Sequence, residues 1–215
     1  MRYKQGHREA ARERIVACAA RRFRADGYAG ASLNDVMHDA GLTVGGFYAH
    51  FPSKQELFAA AITHAAQQTL SERSAIADTD PAHWVCGFVR SYLSQEHLTD
   101  VAGGCPLAAL GGETARAGDA ARGSYGESAG CFADALAAHL EGPQEQRQEV
   151  ARAVMSMCVG ALTLARADLD GPAAETLFAA CGRAAGELAR NCGSSPTLAS
   201  EPPGDPVRPH GQGSR

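Results

Sequence analysis

Two stretches of the sequence hold side chains whose types and positions could do chemistry. The first is Cys105-Pro106, where a thiol precedes a proline suited to the first turn of a helix. The amides and dipole of that helix start would lower the thiol pKa and favour thiolate. Cys105 is thus a candidate redox or electrophile sensor; the alternative is a small buried residue. The second stretch runs from Ser32 to Phe58. It has hydroxyls at three positions able to start helices, Ser32, Thr43 and Ser53. Asp35 and Glu56 follow Ser32 and Ser53 at the spacing of a capping box. Gly41 supplies a turn. Gly45-Gly46 puts two positions without side chains at the start of a third short helix, 44–50. Glycine costs about 1 kcal/mol relative to alanine in a helix, and close approach to another backbone is a reason to keep the pair. A helix, a turn, a short helix and a capped helix within 27 residues is the spacing of a helix-turn-helix. The matching chemistry is non-covalent: helix starts and hydroxyls for phosphates, and a smooth helix end for a major groove.

The elements that must position this stretch can be read from apolar periodicity. A first helix is expected over 8–26, with Ile15, Cys18, Ala19 and Phe23 on one face and Gly27 ending it in the left-handed conformation. Leu33, Val36, Met37 and Ala40 give the second helix its buried face. Phe51-Pro52 ends the third. A long helix follows from Lys54 to about Ser74. Residues 1–7, with Arg2, Lys4 and His7, form a polar arm that either touches DNA or frays. From spacing alone, Phe47 and Tyr48 could both be core aromatics.

Charge separates the same two parts. Residues 1–60 carry nine Lys/Arg against six Asp/Glu, a balance of +3. Residues 61–215 carry eleven against eighteen, a balance of −7. A basic module on an acidic remainder suits a polyanionic partner for the first part only. Seven cysteines at irregular spacing fit free thiols in a reducing compartment. The N-terminus is polar and basic, unlike a signal peptide, and no apolar run reads as a membrane span, so a cytoplasmic protein with no membrane partner is expected. The chain has no Gly-rich phosphate loop, zinc-type His/Cys spacing or Gly-x-Ser-x-Gly elbow. No catalytic residue, metal or cofactor is expected.

The run Gly41-Leu42-Thr43-Val44-Gly45-Gly46-Phe47-Tyr48-Ala49-His50-Phe51-Pro52-Ser53-Lys54-Gln55-Glu56-Leu57-Phe58 resembles the DNA-binding signature of the TetR (tetracycline-repressor-like) transcriptional regulators. Gly27-Tyr28 and Ser32-Leu33 match the family's preceding turn. The resemblance covers roughly residues 10–60. It implies an all-α fold of about nine helices: a helix-turn-helix domain with its arm over 1–53, a helical ligand-binding and dimerisation domain over 54–192, and a disordered tail over 193–215. It implies phosphate contacts from Tyr48, His50 and Lys54. Ser32 and Thr43 can add hydroxyls and helix-start amides. Asn34, Val44 and Gly45 stand where family members meet base edges, and Val44 offers only apolar contact, for example to a thymine methyl. The partners implied are a double-stranded operator, a second copy of the chain and a small-molecule inducer that releases a repressor. A thiol sensor acting through Cys105, and a small-molecule-binding protein with incidental DNA contacts, remain as alternatives.

Beyond residue 74, Asp78-Thr79-Asp80-Pro81 reads as a turn and Trp84–Leu93 as an apolar helix. Residues 97–104 read as a loop. Phe88, Tyr92 and Tyr125 are core residues or walls of a ligand pocket. Cys131, Phe132, Leu136 and Leu140 point inward from a helix over 119–140. Helices over 143–168 and 172–191 are rich in small residues, which allow close approach. They form either an internal hairpin or half of a dimer interface.

Overall fold

The structure, a computed structural model, describes residues 2–168 and 171–193, and the tail expected from 193 lies outside them after its first residue. The described residues are all helical. The helix-turn-helix unit comprises α1 (Arg2–Gly30), α2 (Leu33–Asp39), a 3-10 turn (Val44–Ala49) and the start of α3 (Lys54–Ala77). The helical domain continues through a short 3-10 turn (Pro81–His83) into α4 (Trp84–Tyr92), α5 (Gln95–Thr99), α6 (Pro106–Thr114), α7 (Asp119–Ala137), α8 (Gln144–Asp168) and α9 (Gly171–Asn191).

Two cores organise these helices. In the first, Ile15, Ala19 and Phe23 of α1 meet Val36 and Met37 of α2, Phe47, and Leu57, Phe58 and Ile62 of α3. Burying each large apolar side chain favours folding by about 1.5–3 kcal/mol. This core does not stop at residue 53: it runs along α3 to Ala65 and takes in Leu110 and Ala121. In the second core, Trp84 stacks on Phe88 and Phe88 meets Phe132 edge-on. Val154, Leu162 and Phe178 close it from α8 and α9. The long α3 belongs to both cores and packs most extensively against α1 and α7.

Local signals account for the starts and stops. Ser32 Oγ accepts from the Asp35 amide at 3.1 Å, and Ser53 Oγ from the Glu56 amide at 3.1 Å. Gly41, at φ 70°, makes the turn after α2. Gly27 has the expected positive φ of 74°, but its ψ of 170° is extended, so the chain kinks there and keeps one more helical turn to Gly30.

Several elements depart from the sequence reading. Residues 2–7 are not a separate arm; α1 begins at Arg2. Residues 44–49 form a 3-10 helix rather than an α-helix. Two glycines disfavour α geometry, and so short a segment closes with tighter i→i+3 bonds such as Gly46 N–H to Thr43 O at 3.0 Å. The segment read as a loop from 97 overlaps α5, which starts where Ser94 Oγ accepts from the His97 amide at 3.2 Å. Cys131 is exposed rather than inward. The helix α8 is long and apolar enough, by composition alone, to cross a membrane. Here it packs between α7 and α9, with Val154, Cys158 and Leu162 buried.

Candidate nucleic-acid interface

The 3-10 turn presents two faces. Phe47 is fully buried and stacks on Phe51, with ring centroids 6.1 Å apart. Its neighbour Tyr48 is 73% exposed and leans edge-on against the Phe47 ring at 5.1 Å. Val44 is 48% exposed, and Thr43 and Gly45 beside it are also exposed. A side-chain carbon at Gly45 or Gly46 would meet nothing within 4 Å. The pair is therefore not forced by contact inside this chain. Thr43 makes no side-chain capping bond, so its hydroxyl stays available at the edge of the turn. Asn34 is exposed on α2.

Other expected contacts are partly engaged already. The Ser32 hydroxyl caps α2 and donates to Asp35 Oδ2 at 2.7 Å. His50 is half-buried, and its buried Nδ1 has no hydrogen-bond partner. The Lys54 ammonium lies 4.8 Å from the centre of the Tyr28 ring and 6.0 Å from that of Phe23. Burial lowers its pKa while Glu113 pulls the other way. It remains at the first residue of α3, where the amides of a helix start also favour an anion.

The arginines of α1, which the sequence left without roles, fasten this surface from behind. Arg8 Nη2 donates to Ala49 O at 2.6 Å, which fixes the end of the 3-10 turn. The Arg12 guanidinium sits 4.6 Å from the centre of Phe51. Arg22 pairs with Asp39 at 2.7 Å and ties α1 to α2. Arg8 and Arg12 lie one helical turn apart, so their common face was legible; their carbonyl and aromatic partners were not.

Two more contacts join this unit to α6 and the segment before it. Glu113 Oε2 accepts from the Tyr28 amide at 2.8 Å, just past the Gly27 kink. A Cβ at Gly27 would stand 2.6 Å from Glu113 Oε1. Arg24 is buried and donates through Nη1 to Gly104 O at 2.9 Å. Burial lowers its pKa to about 10. The Gly27 positive φ therefore serves a close approach as well as a helix end.

The residues proposed for sensing occupy a different environment. Cys105 is fully buried, and burial pushes its thiol up rather than down. Desolvation of the thiolate outweighs the helix start that would have stabilised it. The sequence expectation of an activated thiol is corrected accordingly. The Cys105 amide donates to His97 Nε2 at 2.8 Å, so Nδ1 carries the proton and donates to Tyr92 O at 2.7 Å. This buried imidazole has its pKa pushed down to about 4, chiefly by burial. Arg166 Nη2 donates to His97 O at 2.5 Å. Phe88 and Tyr92 are fully buried in the second core. Tyr125 is half-buried and donates its hydroxyl to Leu107 O at 2.8 Å. The four residues thus share one packed region, where close packing and backbone fixation account for them.

An exposed, rigidly backed helix-turn-helix on a helical domain defines the class. Residues 15–61 match the profile of the bacterial regulatory proteins of the tetR family. The HTH-type transcriptional regulator LmrA of Bacillus subtilis (strain 168) is 32% identical over 108 residues, which cover 48% of this chain and 56% of that protein. The uncharacterized HTH-type transcriptional regulator YxaF of the same organism is 33% identical over 112 residues, with the same coverage. The chain thus spans little more than half the length of these curated relatives. A crystal structure of a TetR transcriptional regulator from Chloroflexus aurantiacus J-10-fl is 25% identical, covers 85% of this chain and 96% of its own, and superposes with a TM-score of 0.67. Residues 15–61 thus carry the DNA-binding unit of the tetR family, and the whole chain is similar in fold to a solved TetR regulator.

Proposed function

We propose that this protein is a DNA-binding transcriptional repressor that grips a palindromic operator as a homodimer and is released by a small-molecule inducer. The observation that carries this reading is the exposed set of Asn34 on α2 and Thr43, Val44, Gly45 and Tyr48 on a turn held from behind by Phe47 and Arg8. Tyr48, Thr43, Ser32, His50 and Lys54 would position the unit on phosphates. Asn34 and Val44 would meet base edges. With only apolar contact from Val44, DNA shape supplies part of the selectivity.

The dimer would form through α8 and α9. Ala153, Ser156 and Leu164 are exposed and Gly160 half-buried on α8, and Ala180 and Leu188 are exposed on α9. Small residues let two such helix pairs approach closely. Two-fold symmetry then presents the two turns to major grooves about 34–36 Å apart. A ligand acts only if it binds a second arrangement of the dimer more tightly. Glu113 and Arg24 connect the helical domain to the last turns of α1, so a shift of α6 has a direct route to α1. Such a protein works in the cytoplasm and carries out no catalysis.

Selection of bound sequences from a random duplex pool tests this reading. A palindrome with half-sites one helical turn apart is expected from the purified chain. Recovery of no common sequence, with binding that depends on salt alone, would overturn it.

A further inference from the structure

A groove of about 580 Å³ lies between α4 and α9, on the outer edge of the second core. Its floor is apolar: Val89 and Leu93 come from α4, and Phe178 and Gly182 from α9. Its rim is charged. Arg90 stands on one side and Arg183 on the other, with Glu175 as the acidic member. Both guanidiniums are exposed, and neither has an ion pair or hydrogen bond among the described residues. The hollow exists because α9 places a glycine where a side chain would fit: a Cβ on Gly182 would meet nothing within 4 Å.

From this geometry we propose that the α4–α9 groove is a binding site for an organic monoanion with a substantial apolar body, such as a medium-chain carboxylate. The volume falls in the range of small-molecule sites, about 300–1,000 Å³. The apolar body covers Val89, Leu93 and Phe178. The carboxylate lies between Arg90 and Arg183, whose planar donors suit it. Two guanidiniums and one carboxylate leave the rim with a single positive charge, which selects a monoanion over a neutral or cationic amphiphile. At about 100° per residue, Gly182 lies about 160° around α9 from Ala180 and about 120° from Leu188. The groove therefore stays open in a dimer built on the α8–α9 small-residue face.

The test is calorimetric titration of the full chain with decanoate, 1-decanol and decyltrimethylammonium, with no DNA present, so its outcome is independent of operator binding. Decanoate is expected to bind more tightly than either of the others. Arg90→Gln with Arg183→Gln should weaken decanoate about tenfold or more while leaving decanol unchanged. Gly182→Leu fills the hollow with a better helix former and should abolish decanoate binding without lowering the melting temperature. Equal affinity for decanoate and decanol, decanoate binding that survives Gly182→Leu, or no detectable decanoate binding would each overturn the proposal. Should Gly182→Leu fail to fold, the arginine double variant decides alone.

Discussion

Phe47 and Tyr48 are adjacent aromatic residues that face opposite ways, one fully buried and the other largely in solvent. In the helical domain, Phe88 and Tyr92 sit one turn apart and face the same way, both fully buried. The arginines divide by task. Arg8 and Arg22 work at the surface of the helix-turn-helix unit, whereas Arg24, on the α1 side that meets the helical domain, and Arg73 on α3 are buried and donate to backbone carbonyls of Gly104 and Ser91. The first region keeps polar tips outward on a rigid support, as a recognition surface requires. The second turns them inward to fix an irregular segment of backbone, as the joint between helices requires.

That contrast can be broken most strongly at the aromatic pair. Phe47→Ala should cost about 3–5 kcal/mol of stability by opening the first core. Tyr48→Ala, one residue on, should change stability by less than about 0.5 kcal/mol. Chemical denaturation of the two variants measures the difference, and equal losses would erase the distinction between faces.

The buried imidazole gives the next largest effect. His97 has a folded pKa of about 4 against an unfolded value near 6.5. A depressed pKa means that the unfolded chain takes the proton first. The full contribution is therefore present above about pH 6.5 and is lost as pH falls toward 4. The wild-type chain should lose up to about 3 kcal/mol across that window from this group. His97→Asn should flatten that part of the pH–stability curve.

A smaller effect is expected at the joint. Glu113→Ala leaves the Tyr28 amide without its acceptor and should cost about 1 kcal/mol, while Glu113→Gln keeps an acceptor oxygen and should cost less. The two variants, compared by thermal melting, separate the hydrogen bond from the charge. The thiols extend the contrast without any stability change: a bulky maleimide should label exposed Cys131 quickly, and Cys105 only on unfolding.

The sequence was most legible where signals are local. Ser32, Gly41 and Ser53 each act within three or four residues, so α2, its turn and the start of α3 could be read directly. The inward Val36 and Met37 followed from period alone. Less legible were features that depend on partners far along the chain. Nothing near Cys105 announces that His97 and Tyr92 will bury it, and the local helix start suggested the opposite pKa shift. Glu113 lies 85 residues from Tyr28, and no spacing rule connects them. Ser94, three residues before His97, did carry the signal for α5. The turn at 44–49 was placed correctly along the chain, but its 3-10 geometry reflects the Gly45-Gly46 pair and the nearby Pro52.

The central claim is that Tyr48 and Lys54 hold phosphates while the cores hold the fold. Once a binding sequence has been selected, its affinity for Tyr48→Phe and Lys54→Ala variants can be followed across salt concentrations. Lys54→Ala should reduce the slope of log affinity against log salt by about 0.9, the loss of one phosphate contact. Tyr48→Phe should weaken binding with the slope unchanged, because it removes a hydroxyl and no charge. Wild-type affinity and slope in both variants would contradict the assignment of this surface.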